Sequence, residues 1–237
     1  MKYGFYTDDD LPRFDAVPGY KTNSYGYRCA EFHPLPDGKK NIVVLGCSHT
    51  FGEGLSKDET WVEQAAKKFK ESLRWWNLAR PGGSADQMIR ILYGTGKVIF
   101  PQIIIACWPS HSRRERLDNV QKNLTSADPL LKMENEYTDQ NNFFRNVFFL
   151  EKFAENTGAK TFHCFAEESY NLENNFNVLK ECTIKNCWPE WDRHHLPDAK
   201  RDIITTPNLA RDGVHYGVEH HQVFARKFYE RFKFKLK

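Results

Sequence analysis

Short apolar runs alternate with amphipathic segments along most of the chain. The runs at 41–46, 102–108 and 160–165 are rich in apolar, aromatic and β-branched side chains, and 74–78 contains two adjacent tryptophans. Runs of this length and composition are typical of strands that are buried on both faces of a sheet. We therefore predict a strand at each of these positions.

Segments with helical spacing of apolar residues separate and follow these strands. They cover about 58–72, 84–100, 139–157 and 217–233. Ser84 is a candidate N-cap for the second of them, and Gly158 stands where the C-cap of the third belongs. Strands that alternate with helices predict an α/β fold, a three-layer α/β/α sandwich around a mostly parallel sheet.

The ends of the chain differ in character. Residues 1–40 are rich in Tyr, Pro, Gly and Asp without a sustained period, which predicts an irregular N-terminal arm packed on one main domain, 41–237. The polar segment 109–137 and the Asn- and Trp-rich segment 170–211 also lack a clean period, and we assign no element to them.

Composition narrows the classes of function. The 237 residues include 34 Lys or Arg and 31 Asp or Glu, and the net charge of +3 gives no reason to expect a nucleic-acid partner. No apolar run approaches the roughly 20 residues of a membrane span. The first ten residues lack the apolar region of a secretory signal, so we expect a cytoplasmic protein with reduced cysteines. The oligomeric state stays open.

Candidate chemistry follows three of the predicted strands and helices. Ser48 stands two residues beyond the first strand, among glycines. Gly82 and Gly83 precede the second helix, where a backbone N–H could point at an anion. Asp212 and His215 come just before the last helix. Ligands of open α/β sheets bind beyond the carboxyl ends of the strands, so these segments predict one site.

The residue types suit nucleophilic catalysis. A carboxylate three residues before a histidine can reach around a turn to the ring and fix its tautomer. The other ring nitrogen can then take a proton from a serine hydroxyl. This pattern predicts Ser48 as nucleophile, His215 as general base and Asp212 as the group that orients it.

The same segments resemble the SGNH (GDSL-type) hydrolases. Gly46-Cys47-Ser48 is similar to the nucleophile block of that family, with Cys in place of Asp, and 77–82 is similar to the block whose glycine donates to the oxyanion. Asp212-Gly-Val-His215 is similar to the closing block, and 22–28 to a lead-in found in some members. The resemblance spans about 20–232 and implies a flavodoxin-like sheet and ester hydrolysis without a cofactor.

One block departs from the family pattern. The resemblance implies an asparagine after the third strand, where its side chain would donate to the oxyanion, but 106–115 contains none. Ser110, His111 or Arg113 could substitute. Losing one such donor typically costs about 2.7–4 kcal/mol in transition-state stabilisation, so the departure bears directly on activity.

Each signal also has a structural interpretation. Ser48 could be a small turn residue, Gly82-Gly83 a plain turn, and Asp212 an N-cap of the last helix with His215 beside it. The glycines of the loop 46–54 could instead cradle a phosphate, but the loop lacks the lysine of a phosphate-binding loop, which disfavours that function. The adjacent histidine pairs 194–195 and 220–221 come without a carboxylate-rich ligand set, so we expect no metal.

The expected function is therefore a serine ester hydrolase acting on a short-chain acyl ester. Its partner would be a small-molecule or carbohydrate ester, with O-acetyl groups on a carbohydrate as one possibility. Two alternatives stay open: a catalytically silent SGNH-like module that binds a glycan or has a structural role, and a sugar O-acyltransferase that uses the same triad.

Overall fold

A computed structural model of the chain describes residues 11–32, 38–69, 73–116, 122–124, 136–166 and 209–234. Its centre is a four-stranded, fully parallel sheet in the order β2-β1-β3-β6. The strands are β1 (Lys40–Gly46), β2 (Leu73–Asn77), β3 (Ile103–Trp108) and β6 (Lys160–Phe165). This is the flavodoxin-like order, and each strand lies where an apolar run predicted it.

Helices connect the strands, and a short hairpin follows β3. The helices are α1 (Ser48–Phe51), α2 (Trp61–Lys68), α3 (Ala85–Ile99), α4 (Glu136–Thr157) and α5 (Val218–Phe232), with a 3₁₀ turn at Lys57–Glu59. The hairpin pairs β4 (Arg114–Arg116) with β5 (Lys122–Leu124) in antiparallel fashion. Ser84 caps α3, because its hydroxyl accepts the Gln87 N–H at 3.2 Å.

Both faces of the sheet are covered. On β1, Val43 and Leu45 join a core that includes α3 and α4, whereas Ile42 and Val44 join a core that includes α2 and α5. Alternation of side chains across a strand sends neighbouring residues to opposite faces, so a strand that is apolar throughout requires a layer on each side. The predicted three-layer α/β/α sandwich is confirmed.

Some boundaries differ from expectation. Helix α2 ends at Lys68 instead of near residue 72, because Phe69 adopts an extended conformation and turns its ring into the core against Trp75 and Tyr229. Helix α1 and the hairpin carry too few residues to show a period, and sequence periodicity did not predict them. The unassigned stretch 170–208 and the arm's residues 1–10 and 33–37 lie outside the described residues.

The described part of the arm, 11–32, packs on the sheet's α3–α4 side. Tyr27 is fully buried, and its hydroxyl donates to the Pro12 carbonyl at 2.8 Å. Phe32 packs on Trp76, and the Arg80 guanidinium donates to the Gly26 carbonyl. The four described cysteines are free thiols. Among the described helices, none combines the length and apolar character that crossing a membrane requires.

Candidate active site

The chain turns sharply where β1 ends. A Cβ on Gly46 would come within 2.4 Å of the Thr50 Oγ1, so only glycine fits at the last position of the strand. Cys47 caps α1, and Ser48 is the first residue of that helix, 5% exposed. Within the described residues, neither the N–H nor the hydroxyl of Ser48 has a protein hydrogen-bond partner. Both groups are therefore available to a ligand, as the first N–H groups of a helix are.

The far end of α1 is held by the arm. The Arg28 guanidinium, in a side chain only 4% exposed, donates to the carbonyls of Phe51 (3.0 Å), Gly52 (2.7 Å) and Leu55 (2.6 Å). Its planar group also stacks over the rings of Tyr20 and Phe51. A cation at a helix C-terminus satisfies carbonyls that have no partner within the helix. Arg28 thus fixes the short helix that carries Ser48.

The second predicted segment lies beside the first. Asn77, at the end of β2, donates to the Thr50 carbonyl at 2.9 Å, and the Arg80 N–H donates to the Gly46 carbonyl at 3.1 Å. Gly82 has a positive φ of 67°, and within the described residues its N–H donates to no protein group. The Gly83 N–H instead donates to the Arg80 carbonyl at 3.0 Å. Of the two glycines, Gly82 is the one with a donor to offer.

The closing segment forms the expected carboxylate–imidazole pair. The Asp212 Oδ2 lies 2.6 Å from the His215 Nδ1, and the Asp212 Oδ1 accepts the backbone N–H groups of Val214 and His215 at 2.9 and 3.0 Å. Partial burial favours the neutral carboxyl, but these hydrogen bonds outweigh it and lower the pKa of Asp212. Helix α5 is capped by Gly217 and not by Asp212, which removes the structural interpretation of this segment as a helix cap.

His215 reaches the loop that follows Ser48. Its ring meets the His49 ring edge-on, with centroids 5.4 Å apart, and its Nε2 lies 3.6 Å from the Glu53 Oε2. A Ser48–His215 hydrogen bond is not formed among the described contacts. The structure therefore brings His215 and Asp212 together and places them against residues that follow Ser48 in the same loop.

The histidine rings beside the candidate site, His49 and His221, are held in their neutral form. Burial, the neighbouring His215 and the positive charge of Arg113 lower its pKa to about 3, so its ring stays neutral at neutral pH. His221, buried in α5, likewise has a lowered pKa, mainly because of burial, and its Nδ1 accepts the Trp61 N–H at 2.9 Å. The rings of His49 and His221 are thus uncharged at neutral pH.

The segment after β3, where the family's asparagine would stand, offers one positively charged group among its three candidates Ser110, His111 and Arg113. The Ser110 hydroxyl is bonded to that of Ser112 at 3.0 Å, and the His111 carbonyl accepts from Arg114 at 2.9 Å. Arg113 is the member of the predicted trio whose charge acts on the serine loop, as its effect on His49 shows. Within the described residues no group of three or more potential ligands could hold a metal ion.

Sequence reasoning did not single out Glu53, His49 or Arg28. Glu53 and His49 stand inside the nucleophile segment, so proximity in sequence was a usable signal for both. Arg28 stands in the lead-in segment 22–28 that the resemblance includes. Nothing in the sequence pattern says that a residue twenty positions upstream reaches the carbonyls of this loop.

Comparison with known proteins places this arrangement in a fold class. No protein-family model and no curated protein matches the chain. Among solved structures, the esterase EstA from Pseudoalteromonas sp. is 17% identical with a TM-score of 0.53, covering 84% of this chain and 99% of that one. A lipolytic G-D-S-L family protein from Desulfitobacterium hafniense is 11% identical with a TM-score of 0.52, covering 81% and 99%.

A third structure is a carbohydrate esterase whose active site displays divergent catalytic and non-catalytic binding functions. It is 13% identical with a TM-score of 0.54, covering 85% of this chain and 67% of that one. The chain has the fold of the GDSL-type hydrolases, and the resemblance read from the sequence is confirmed at the level of the fold. Identities this low leave activity and substrate to the chemistry of the site.

Proposed function

We propose that this protein is a serine ester hydrolase that uses Ser48, His215 and Asp212 on a short-chain acyl ester. The observation that carries the proposal is the 2.6 Å contact between Asp212 and His215, in a ring that packs on the loop directly after Ser48. Two further features support it. The Ser48 hydroxyl is free of protein partners within the described residues, and structures of esterases share the fold.

The proposed reaction begins with proton transfer. The Asp212 carboxylate accepts the Nδ1–H of His215, which leaves the lone pair of Nε2 to take the proton of the Ser48 hydroxyl as its oxygen attacks the ester carbonyl. His215 then gives that proton to the leaving alcohol. Water attacks the acyl-enzyme by the same route, and the acid and the free serine are released.

The oxyanion would be held by backbone donors. We assign this role to the N–H groups of Ser48 and Gly82, which donate to no protein acceptor within the described residues. Arg113 is the strongest candidate for the donor that the family's asparagine supplies, because its positive charge acts on this loop and would stabilise a developing negative charge. Ser110 has its hydroxyl engaged with Ser112 and is a poorer donor.

The experiment is turnover of p-nitrophenyl acetate and labelling by a fluorophosphonate probe. Wild type should hydrolyse the ester and take up the probe on Ser48, and Ser48→Ala should lose about 10⁴-fold or more in kcat/KM and all labelling. Ser112→Ala is the matched control, because it removes a hydroxyl from the neighbouring loop. Equal turnover by wild type and Ser48→Ala would reject the mechanism.

A second candidate is a glycan-binding module on the same fold. It is favoured by the missing asparagine and by the absence of a Ser48–His215 hydrogen bond among the described contacts. Glycan binding that survives Ser48→Ala in calorimetry, together with no hydrolysis across an ester panel, would establish it. A sugar O-acyltransferase would use the same residues, and product analysis with a sugar acceptor present would separate it from a hydrolase.

A further inference from the structure

Glu53 is set in its position by the backbone around it. The flanking Gly52 and Gly54 have φ values of 81° and 77°, which side-chain-bearing residues rarely adopt. A Cβ on Gly52 would come 2.3 Å from Thr60, and one on Gly54 would come 2.9 Å from the Asp212 carboxyl carbon. The Glu53 N–H donates to the Ser48 carbonyl at 3.1 Å. The loop therefore passes close to the closing segment, and Glu53 lies beside His215.

The carboxylate of Glu53 lies near the Nε2 of His215, the side of the ring that would face the leaving alcohol. Its Oε2 is 3.6 Å from the His215 Nε2, the atom that returns the proton to the leaving alcohol in the proposed mechanism. The side chain is 31% exposed, so it lines the opening of the site and is not sealed in the core. Whatever group is attached to the leaving oxygen must pass close to this carboxylate.

The carboxylate has spare hydrogen-bonding capacity. Within the described residues it makes no ion pair with a lysine or arginine, and its contact with His215 is longer than a hydrogen bond. An ionised carboxylate accepts hydrogen bonds but cannot donate them. It will attract a donor on the alcohol part of a substrate and repel an anionic one.

We propose that Glu53 selects esters of polyols, by accepting a hydrogen bond from a free hydroxyl on the carbon next to the ester-bearing carbon. This inference rests on the proposed function and names its substrate class. The rings of His49, Tyr216 and His220 pack on one another in a row beside this loop, with successive centroids 4.8 Å apart.

The test uses two esters that differ in one hydroxyl, trans-2-hydroxycyclohexyl acetate and cyclohexyl acetate. Wild type should prefer the hydroxy ester in kcat/KM, and Glu53→Ala should reduce that preference about tenfold or more, as expected for a lost hydrogen bond to a charged group. Glu53→Gln, which retains an acceptor oxygen, should recover part of the preference. Glu155→Ala, at an exposed glutamate of α4 paired with Lys152, is the matched control and should leave the preference as in wild type.

The outcomes separate this inference from the proposed function. An equal effect of Glu53→Ala on both esters would overturn it while leaving the hydrolase intact. If Glu53→Ala lowers kcat/KM for acetylcholine by a larger factor than for the hydroxy ester, the carboxylate selects an ammonium and the choice of a hydroxyl is overturned. Should wild type hydrolyse neither ester, NMR titration with trans-1,2-cyclohexanediol and cyclohexanol decides. Weaker diol binding by Glu53→Ala with unchanged cyclohexanol binding supports the inference, and unchanged diol binding rejects it.

Discussion

The two halves of the candidate site are built differently. The serine half lies at the end of a buried strand, in a helix whose residues Ser48, Thr50 and Phe51 are buried and whose carbonyls are held by Arg28 and Asn77. The histidine half lies on the surface, where Asp212 and Gly213 are exposed and Val214 is 75% exposed. The first half is fixed by the core, and the second is fixed by its own local hydrogen bonds.

Within the described residues, the exposed half meets the rest of the molecule through polar contacts of Arg211 and ring contacts of His215 and Tyr216. The Arg211 N–H donates to the Gly54 carbonyl at 3.1 Å, and its guanidinium bonds both oxygens of Glu59 at 2.7 Å. An isolated bridge between Leu209 and Tyr216 closes the segment on itself. Exposed ion pairs are typically worth about 0–1 kcal/mol. We therefore expect changes in the contacts that support the serine half, Ser48 itself excepted, to appear mainly in stability and changes in the histidine half mainly in activity.

The largest expected effect is on activity, from Asp212→Asn. The amide cannot hold the Nδ1–H tautomer of His215 as the carboxylate does, so kcat should fall by about a thousandfold to ten-thousandfold. Because the residue is exposed, the free energy of unfolding should change little. The measurements are ester turnover and urea unfolding, with Asp15→Asn, an exposed aspartate of the arm, as the control.

A loss of stability in Asp212→Asn comparable to its loss of activity would contradict the contrast between the two halves. It would mean that the closing segment contributes to the stability of the fold as well as positioning Asp212 and His215.

The next effect is on stability, from Arg28→Met. The substitution keeps an apolar stem over Tyr20 but leaves the carbonyls of Phe51, Gly52 and Leu55 without their donor. Buried groups that lose a charged partner typically cost about 1–3 kcal/mol each when they stay dry, so we expect a loss of roughly 2–4 kcal/mol after partial hydration. Chemical denaturation measures it.

Arg13→Met is the matched control, since Arg13 is exposed and, within the described residues, covers the Tyr25 ring without bonding a buried carbonyl. A change of about 0.5 kcal/mol or less is expected there. Equal losses for the two variants would show that Arg28 does not fix α1.

The sequence predicted the parts of this molecule that rest on local pattern. Four apolar runs predicted the four strands of the sheet, and Ser84 predicted the start of a helix. The three-residue spacing of Asp212 and His215 predicted their side-chain contact. These features depend on residues within one turn or one strand of each other. Long-range contacts were not predictable in this way.

Arg28 and Glu53 are such long-range cases. Arg28 meets the carbonyls of residues 51–55 only because the arm packs against α1, where the Tyr20 ring meets the Phe51 ring edge-on. Glu53 meets His215 only because two glycines with positive φ bend the loop. No periodicity in the sequence predicts either of these contacts. The family resemblance gave the blocks but not the contacts between them.

A pH dependence of stability is expected at His49, where the two halves meet. Burial, His215 and Arg113 lower the pKa of His49 from 6.5 to about 3. Between these values the unfolded chain binds a proton that the folded chain does not, so stability is full above pH 6.5 and falls as the pH decreases toward 3. One such proton contributes about 1.4 kcal/mol per pH unit at most.

His49→Phe, which keeps a ring against Tyr216, should flatten this slope. Urea unfolding of wild type and variant at pH 4.5, 5.5 and 7 measures the difference. Curves that stay parallel across that range would place His49 in contact with water in the folded state. In that event the junction between the serine half and the histidine half would be open, and the exposed character of the second half would extend to the helix that carries Ser48.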